Sequence, residues 1–260
     1  MEPITDSSEG FRPKFAGRMV GVCYLVLTAS GLDLFYVLPK LLVRGNAAAT
    51  AANIKAHEGL FLAGFSAALI GVASELVVTA LFYRLYEPVN RTLSLCAALF
   101  SLTGCVIQAV GLIFHLIPMI LLADQPYLSA FTPAQRETLA LVLLNSYGKA
   151  YNISLVFFAF QLLQIGYLTF RSTFLPHWLG VLAAFGAGWL VFLYPPLGRS
   201  LWPYVALSSV GEMLLVLWLL VKGVNSQKWT EQAIQAAARQ PHCRMATARS
   251  LNTQNPEPSP

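Results

Sequence analysis

The sequence predicts an all-α integral membrane protein: a six-transmembrane-helix bundle with one or two short interfacial helices. Three observations lead there. Hydrophobic residues fill 56% of the 260 positions and charged residues only 11%, whereas a soluble domain carries about a quarter charged residues. Six apolar stretches of roughly span length follow one another, and about 20 apolar residues at 1.5 Å rise suffice to cross the hydrocarbon core. The basic residues behind the formal charge of +5 flank these stretches as anchors and form no dense run, which excludes nucleic acid as a partner.

The elements follow in order. Residues 1–17 are a polar N-terminal segment in which Arg12 and Lys14 lead into the first apolar run. Thr28-Ala29-Ser30 has the small residues of a cleavage site, but the apolar character continues to Leu38, longer than a signal-peptide core needs, so residues 19–38 are expected as a retained first span. Pro39 ends it, Gly45-Asn46 supplies a turn with an N-cap, and Ala47–Ala56 is expected to be helical. The second span lies in EGLFLAGFSAALIGVASELVVTALFY, Glu58 to Tyr83, and closes in a turn at Arg84, Pro88 and Arg91. The third runs uncharged from near Leu93 to Ala123, with Pro118 expected to bend or end it.

Thr132-Pro133-Ala134-Gln135 reads as a capping box with proline at the first helical position. The helix it starts is polar early and apolar later. An interfacial placement is expected for it, with Gly148 and Lys149 marking the join to a fourth span, 150–170. A fifth span, 177–194, carries Trp178 as an interfacial anchor and Gly180, Gly186 and Gly188, and is broken by Tyr194-Pro195-Pro196. The sixth runs from Trp202 to Val221, interrupted only by Glu212. Residues 18–222 thus form the transmembrane domain, and 223–260 a polar tail whose last part, rich in Pro, Gln, Ser and Thr, is expected to be disordered. The distribution of basic residues favours both termini on the cytoplasmic side. The two halves do not match well enough to form an inverted repeat.

Polar residues inside these spans are the functional candidates. Glu75 lies mid-span on a stripe of Gly64, Ala68, Gly71 and Thr79, a small-residue face that packs on another helix. An acid there costs about 2.5–3.5 kcal/mol. Ser101, Gly104, Gln108, Gly111 and His115 recur at steps of three and four in span three. Tyr147, Tyr151, Ser154, Phe158 and Gln161 share a face of span four, with Gln164 further on. Asp33 is in register with Tyr36, and Ser208 and Ser209 precede Glu212.

Depth sorts these residues into two layers. Asp33, His115, Tyr147, Tyr151 and Asn152 form an outer group able to hold a metal or move a proton. Glu75, Gln108, Gln161, Gln164 and Glu212 form an inner one able to share a proton or bind a cationic group. The intramembrane candidates are therefore Asp33, Glu75, Gln108, His115, Asn152, Gln161 and Glu212. Interhelical Gln, Ser and His also serve packing alone, for under about 2 kcal/mol each. Cys23, Cys96 and Cys105 read as packing residues and Cys243 falls in the tail. No metal-ligand spacing, catalytic motif or nucleotide fingerprint occurs, so no metal site is expected and no cofactor can be named.

The runs GNAAATAANIKAHEGLFLAG, LYEPVNRTLSLCAALF, and YNISLVFF followed by IGYLTFRSTFLPHWLGVLAA resemble the bacterial membrane family called domain of unknown function 4386, over roughly residues 14–222. The resemblance implies a small all-helical membrane fold in the bacterial inner membrane, and transfers no catalytic or ligand residue.

The favoured functional reading is a non-enzymatic bundle whose polar interior binds a lipid, small ligand or partner. One alternative is a proton-linked small transporter using Glu75 and Glu212. On six spans without a repeat that needs an unusual fold or a dimer, so the expected partners are the lipid bilayer and a second copy of the chain. The other alternative is an intramembrane enzyme acting on a lipid or prenyl substrate through Asp33 and His115.

Overall fold

The computed structural model describes residues 11–31, 33–123, 125–205 and 209–238. Every regular element among the described residues is helical. In chain order they are α1 (Pro13–Ser30), a π-helical turn (Asp33–Val37) running into α2 (Leu38–Leu41), α3 (Ala47–Ala56), α4 (Glu58–Tyr86) and α5 (Arg91–Leu122). A 3-10 turn (Pro126–Leu128) leads to α6 (Pro133–Arg171), then α7 (His177–Ala184) continued by a 3-10 helix (Phe185–Leu193), α8 (Pro195–Val205) and α9 (Ser209–Val221). The last, α10 (Ser226–Ala238), is bent 104° from α9.

Among the described residues, α4, α5 and α6 are long and apolar enough to cross a membrane, and α9 with α10 makes a fourth if counted as one bent span. The other expected spans are shorter pieces. α1 has 18 residues. The helix from His177 to Leu193 tightens from α to 3-10 geometry, whose larger rise lengthens it to about 30 Å. The expected sixth span falls on α8 and α9, with residues 206–208, including Ser208, outside the described residues.

Local chemistry sets the helix starts. Gly45 turns the chain at φ +75, and the Asn46 side chain accepts from the Ala49 N–H at 2.9 Å to open α3. Asn90 does the same for Leu93 at the head of α5. At α6 the capping box is reciprocal: Thr132 N–H donates to Gln135 Oε1 at 2.8 Å and Gln135 N–H to Thr132 Oγ1 at 3.3 Å.

Two expected breaks do not occur. α6 runs unbroken through Gly148 and Lys149 for 39 residues, so the expected interfacial helix and the fourth span are one rod of about 58 Å. A mid-helix glycine costs only about 1 kcal/mol, and the buried side chains Ala140, Leu144, Tyr147, Ser154 and Leu155 continue past the expected join. Pro118 does not end α5 either; it is buried inside the helix, which continues to Leu122.

α5 and α6 form the most extensive helix pair, followed by α1 with α4. Glycines set two other close approaches. A Cβ on Gly21 of α1 would stand 2.8 Å from the Leu220 Cα of α9. Gly166 of α6 and Gly180 of α7 face each other, a Cβ on either meeting the other's carbonyl oxygen at 2.8 or 2.5 Å. The buried apolar residues fall into two clusters. One holds Val78, Phe82, Tyr86, Leu168, Leu179 and Leu219, the other Phe61, Val72, Leu112, Leu122, Leu144 and Tyr147. Along α4 the change-over falls between Val72 and Val78, where Glu75 sits.

The segment expected as a tail begins with structure. α10 docks through Trp229, 6% exposed, whose Nε1 donates to the Leu85 carbonyl at 2.9 Å and whose ring lies 5.2 Å from Phe11. Residues 239–260, with Cys243, lie outside the described residues.

Candidate functional site

The small-residue stripe of α4 receives the end of α1 and the π-helical turn. A Cβ on Gly71 would collide with the Ser30 hydroxyl, and one on Gly64 with the Asp33 carboxyl. This close seating turns Glu75, 5% exposed, into the bundle. Its Oε1 accepts from Ser101 Oγ of α5 at 3.2 Å. Thr79 Oγ1 lies 2.6 Å from Ser101 Oγ and 2.8 Å from the Glu75 carbonyl, and Gln161 of α6 also acts on the carboxyl. Glu75 Oε2 has no protein partner.

The glycines of the α5 stripe meet α6, while Ser101 meets α4. Gly104 lies under the Phe158 ring and Gly111 against Ala150 and Tyr147. Ser101 and His115, at the two ends of the stripe, are fully buried. His115 is packed among aromatic rings, with centroids 4.5 Å from Phe61 and 5.0 Å from Tyr147. Its Nδ1 lies 3.6 Å from Asp33 Oδ2, and Tyr147 OH donates to the same oxygen in a long contact of 3.5 Å. Asp33, His115 and Tyr147 are therefore one buried cluster drawn from three segments.

A cavity of about 390 Å³ opens beside both groups, within the usual range of about 300–1,000 Å³ for small-molecule sites. Glu75, Gln108, Gln161 and Glu212 line it, and so do Tyr147 and Tyr151. The two expected layers are thus not separate: Tyr147 bonds Asp33 and also borders the space that Glu75 borders. Asp33 and His115 do not line the cavity. Asn152 does not join either group; it is half-buried and off the wall, one residue past Tyr151 and so rotated about 100° from the face that looks inward. Gln164 is also off the wall, with its amide spent on the Phe160 carbonyl of its own helix at 3.0 Å. Among the described residues no three His, Cys, Asp or Glu side chains converge.

Sequence reasoning missed part of the wall. Tyr24, Leu27 and Thr28 of α1 and Gly31 at its C-cap line the cavity, and their spacing of three, one and three is a helical stripe that could have been read. Trp189, from the 3-10 helix, also lines it; no sequence signal marks that residue as inward-facing. No curated protein and no solved structure matches the chain significantly. The family model described as "Domain of unknown function (DUF4386)" matches residues 19–223, and the chain belongs to that family.

Proposed function

We propose that this protein is a non-enzymatic, six-span bundle of the bacterial inner membrane, with both termini cytoplasmic, whose central cavity binds a small amphipathic molecule. The observation that carries the reading is convergence: polar side chains from α4, α5, α6 and α9 meet at one space whose remaining wall is largely apolar and aromatic. Packing alone asks only for pairwise interhelical bonds. A shared space with a few directed polar groups is the usual form of a ligand site. The six-span count adds α1, the His177–Leu193 helix and the α8–α9 segment to the three long apolar helices, each of which lies against the bundle.

The test is purification in native lipid followed by native mass spectrometry. One small amphipathic species should accompany the wild type and be lost from Ala68→Phe, which fills the cavity from its α4 wall. A protein that carries nothing, or the same species in both forms, counts against the reading.

The carrier alternative gains one specific observation: Glu75 and Glu212 border the same space, so a proton and a ligand can compete for the same carboxyls. It predicts that Glu75→Gln abolishes pH-driven uptake into vesicles while the protein stays folded; unchanged uptake would exclude it. The enzyme alternative draws no such support, because neither Asp33 nor His115 lines the cavity.

A further inference from the structure

The cavity wall has a charge and ring content that discriminates among ligands. Among the described residues it carries two carboxyls, Glu75 and Glu212, and no Lys, Arg or His. Six aromatic side chains border it as well: Tyr24, Phe82, Tyr147, Tyr151, Phe158 and Trp189. Glu75 is more than nine-tenths buried and its Oε2 is unpartnered within the protein.

We propose that the cavity selects an organic cation, an ammonium-type or similarly delocalised monovalent ion whose charge meets Glu75 and Glu212 and whose apolar body lies against the aromatic rings. The inference rests on the cavity being a ligand site, and it names the ligand class.

Ligands of other charge fit this wall poorly. An anion would face two acids with no basic side chain on the wall to offset them. A neutral apolar molecule would fill the space yet leave a buried carboxyl oxygen without a partner, which is costly in a low-dielectric site, and a neutral donor would bond that oxygen without offsetting the charge of two acids. A hard divalent cation asks for about six to eight oxygens in a tight shell, and the wall is mostly carbon. An organic cation satisfies both parts of the wall, since aromatic faces attract positive charge most strongly where water is excluded. Gln108 and Gln161 add neutral hydrogen-bonding groups beside the acids, suited to an ion that also carries N–H donors.

The experiment uses the full-length protein in detergent and in nanodiscs, titrated with tetraphenylphosphonium and with tetraphenylborate. The two share a shape and an apolar surface and differ in the sign of their charge. The cation should bind saturably and the anion about tenfold more weakly or worse. Glu75→Gln should weaken cation binding by about tenfold, Glu212→Gln in the same direction, and Glu58→Gln, exposed at the head of α4, not at all.

Equal binding of the two ions overturns the proposal and needs no variant to fold. Cation binding that survives both cavity substitutions in folded protein also overturns it. If the anion binds and Ala68→Phe abolishes that binding, the cavity is a ligand site of the wrong class. If neither ion binds and no species co-purifies, the cavity reading itself fails.

Discussion

Replacing Gly21 with alanine tests the crossing that brings α1 and α9 together over the cavity. The added Cβ would lie 2.7 Å from Leu220 Cβ, 2.8 Å from its Cα and 3.0 Å from its N. Carbon atoms in contact rest at about 3.5–4.0 Å, so the helices must separate by roughly 1 Å. Backbone cannot rotate away as a side chain can, and overpacking of this kind costs about 1–3 kcal/mol. Gly17, one turn earlier, offers the contrast: its Cβ would meet the tip of Val224, a side-chain methyl, at 2.9 Å, so Gly17→Ala should cost less. At Gly148 nothing lies within 4 Å, and Gly148→Ala inside α6 should stabilise by up to about 1 kcal/mol.

The assay is thermal unfolding followed by a fluorogenic thiol reagent on a Cys243→Ser background, with Cys105, 1% exposed, as the buried reporter. Each kcal/mol moves the midpoint by about 2–4 °C in domains of 150–250 residues. The expected order of midpoints is Gly148→Ala above wild type, Gly17→Ala below, and Gly21→Ala lowest. A midpoint for Gly21→Ala at or above that of wild type would refute the described crossing of α1 and α9. Because α1 brings Tyr24 and α9 brings Glu212 to the wall, Gly21→Ala should also weaken binding of the organic cation below the unfolding temperature.

Two further outcomes follow from named bonds. A double-mutant cycle on Glu75→Met and Ser101→Ala should give a coupling of about 0.6 kcal/mol and no more than about 1.7, the mean and the maximum for interhelical bonds in a membrane; additive effects would mean that the 3.2 Å contact between them contributes nothing. Trp229→Phe keeps a ring against Phe11 but removes the donor to Leu85. It should cost about 1–2 kcal/mol and speed protease cleavage around Gly223–Ser226, where α10 leaves α9; unchanged cleavage would mean that this bond does not hold α10 down.

What was legible in the sequence divides by the range of the forces involved. Gly45-Asn46 and Thr132 with Gln135 act within one turn of chain, and the structure has both caps where the residues place them. The stripes on α4 and α5 follow from helical periodicity alone, and their small members do sit at helix contacts. The join expected at Gly148-Lys149 fails because it weighs a local cost near 1 kcal/mol and takes no account of the side chains that α6 buries on both sides of that point. Trp189 was beyond reach for a related reason. Its direction depends on the helix tightening from α to 3-10 at Phe185, which changes the angle per residue from 100° to about 120°. Depth sorts Asp33 and His115 from Glu75, and neither of the first two lines the cavity that Glu75 borders. Depth does not give rotation, and Tyr147 is turned so that its hydroxyl meets Asp33 while it borders the cavity.

That double role of Tyr147 explains why two polar groups persist in an apolar bundle. A buried acid in a membrane costs about 2.5–3.5 kcal/mol by insertion scales, and an apolar side chain would pack Gly64 against the turn at Asp33 without that cost. The Asp33 carboxyl instead takes the Tyr147 hydroxyl at one edge of the cavity while the Glu75 carboxyl takes Ser101 at the other. One acid orients an aromatic wall and the second presents an unpartnered oxygen beside the same space. If packing were their sole purpose, Asp33→Asn and Glu75→Gln would be interchangeable in effect, each changing the unfolding midpoint alone. If the cavity is their purpose, they separate. Asp33→Asn keeps the tyrosine contact and the cation affinity, whereas Glu75→Gln keeps the fold and binds the cation about tenfold more weakly.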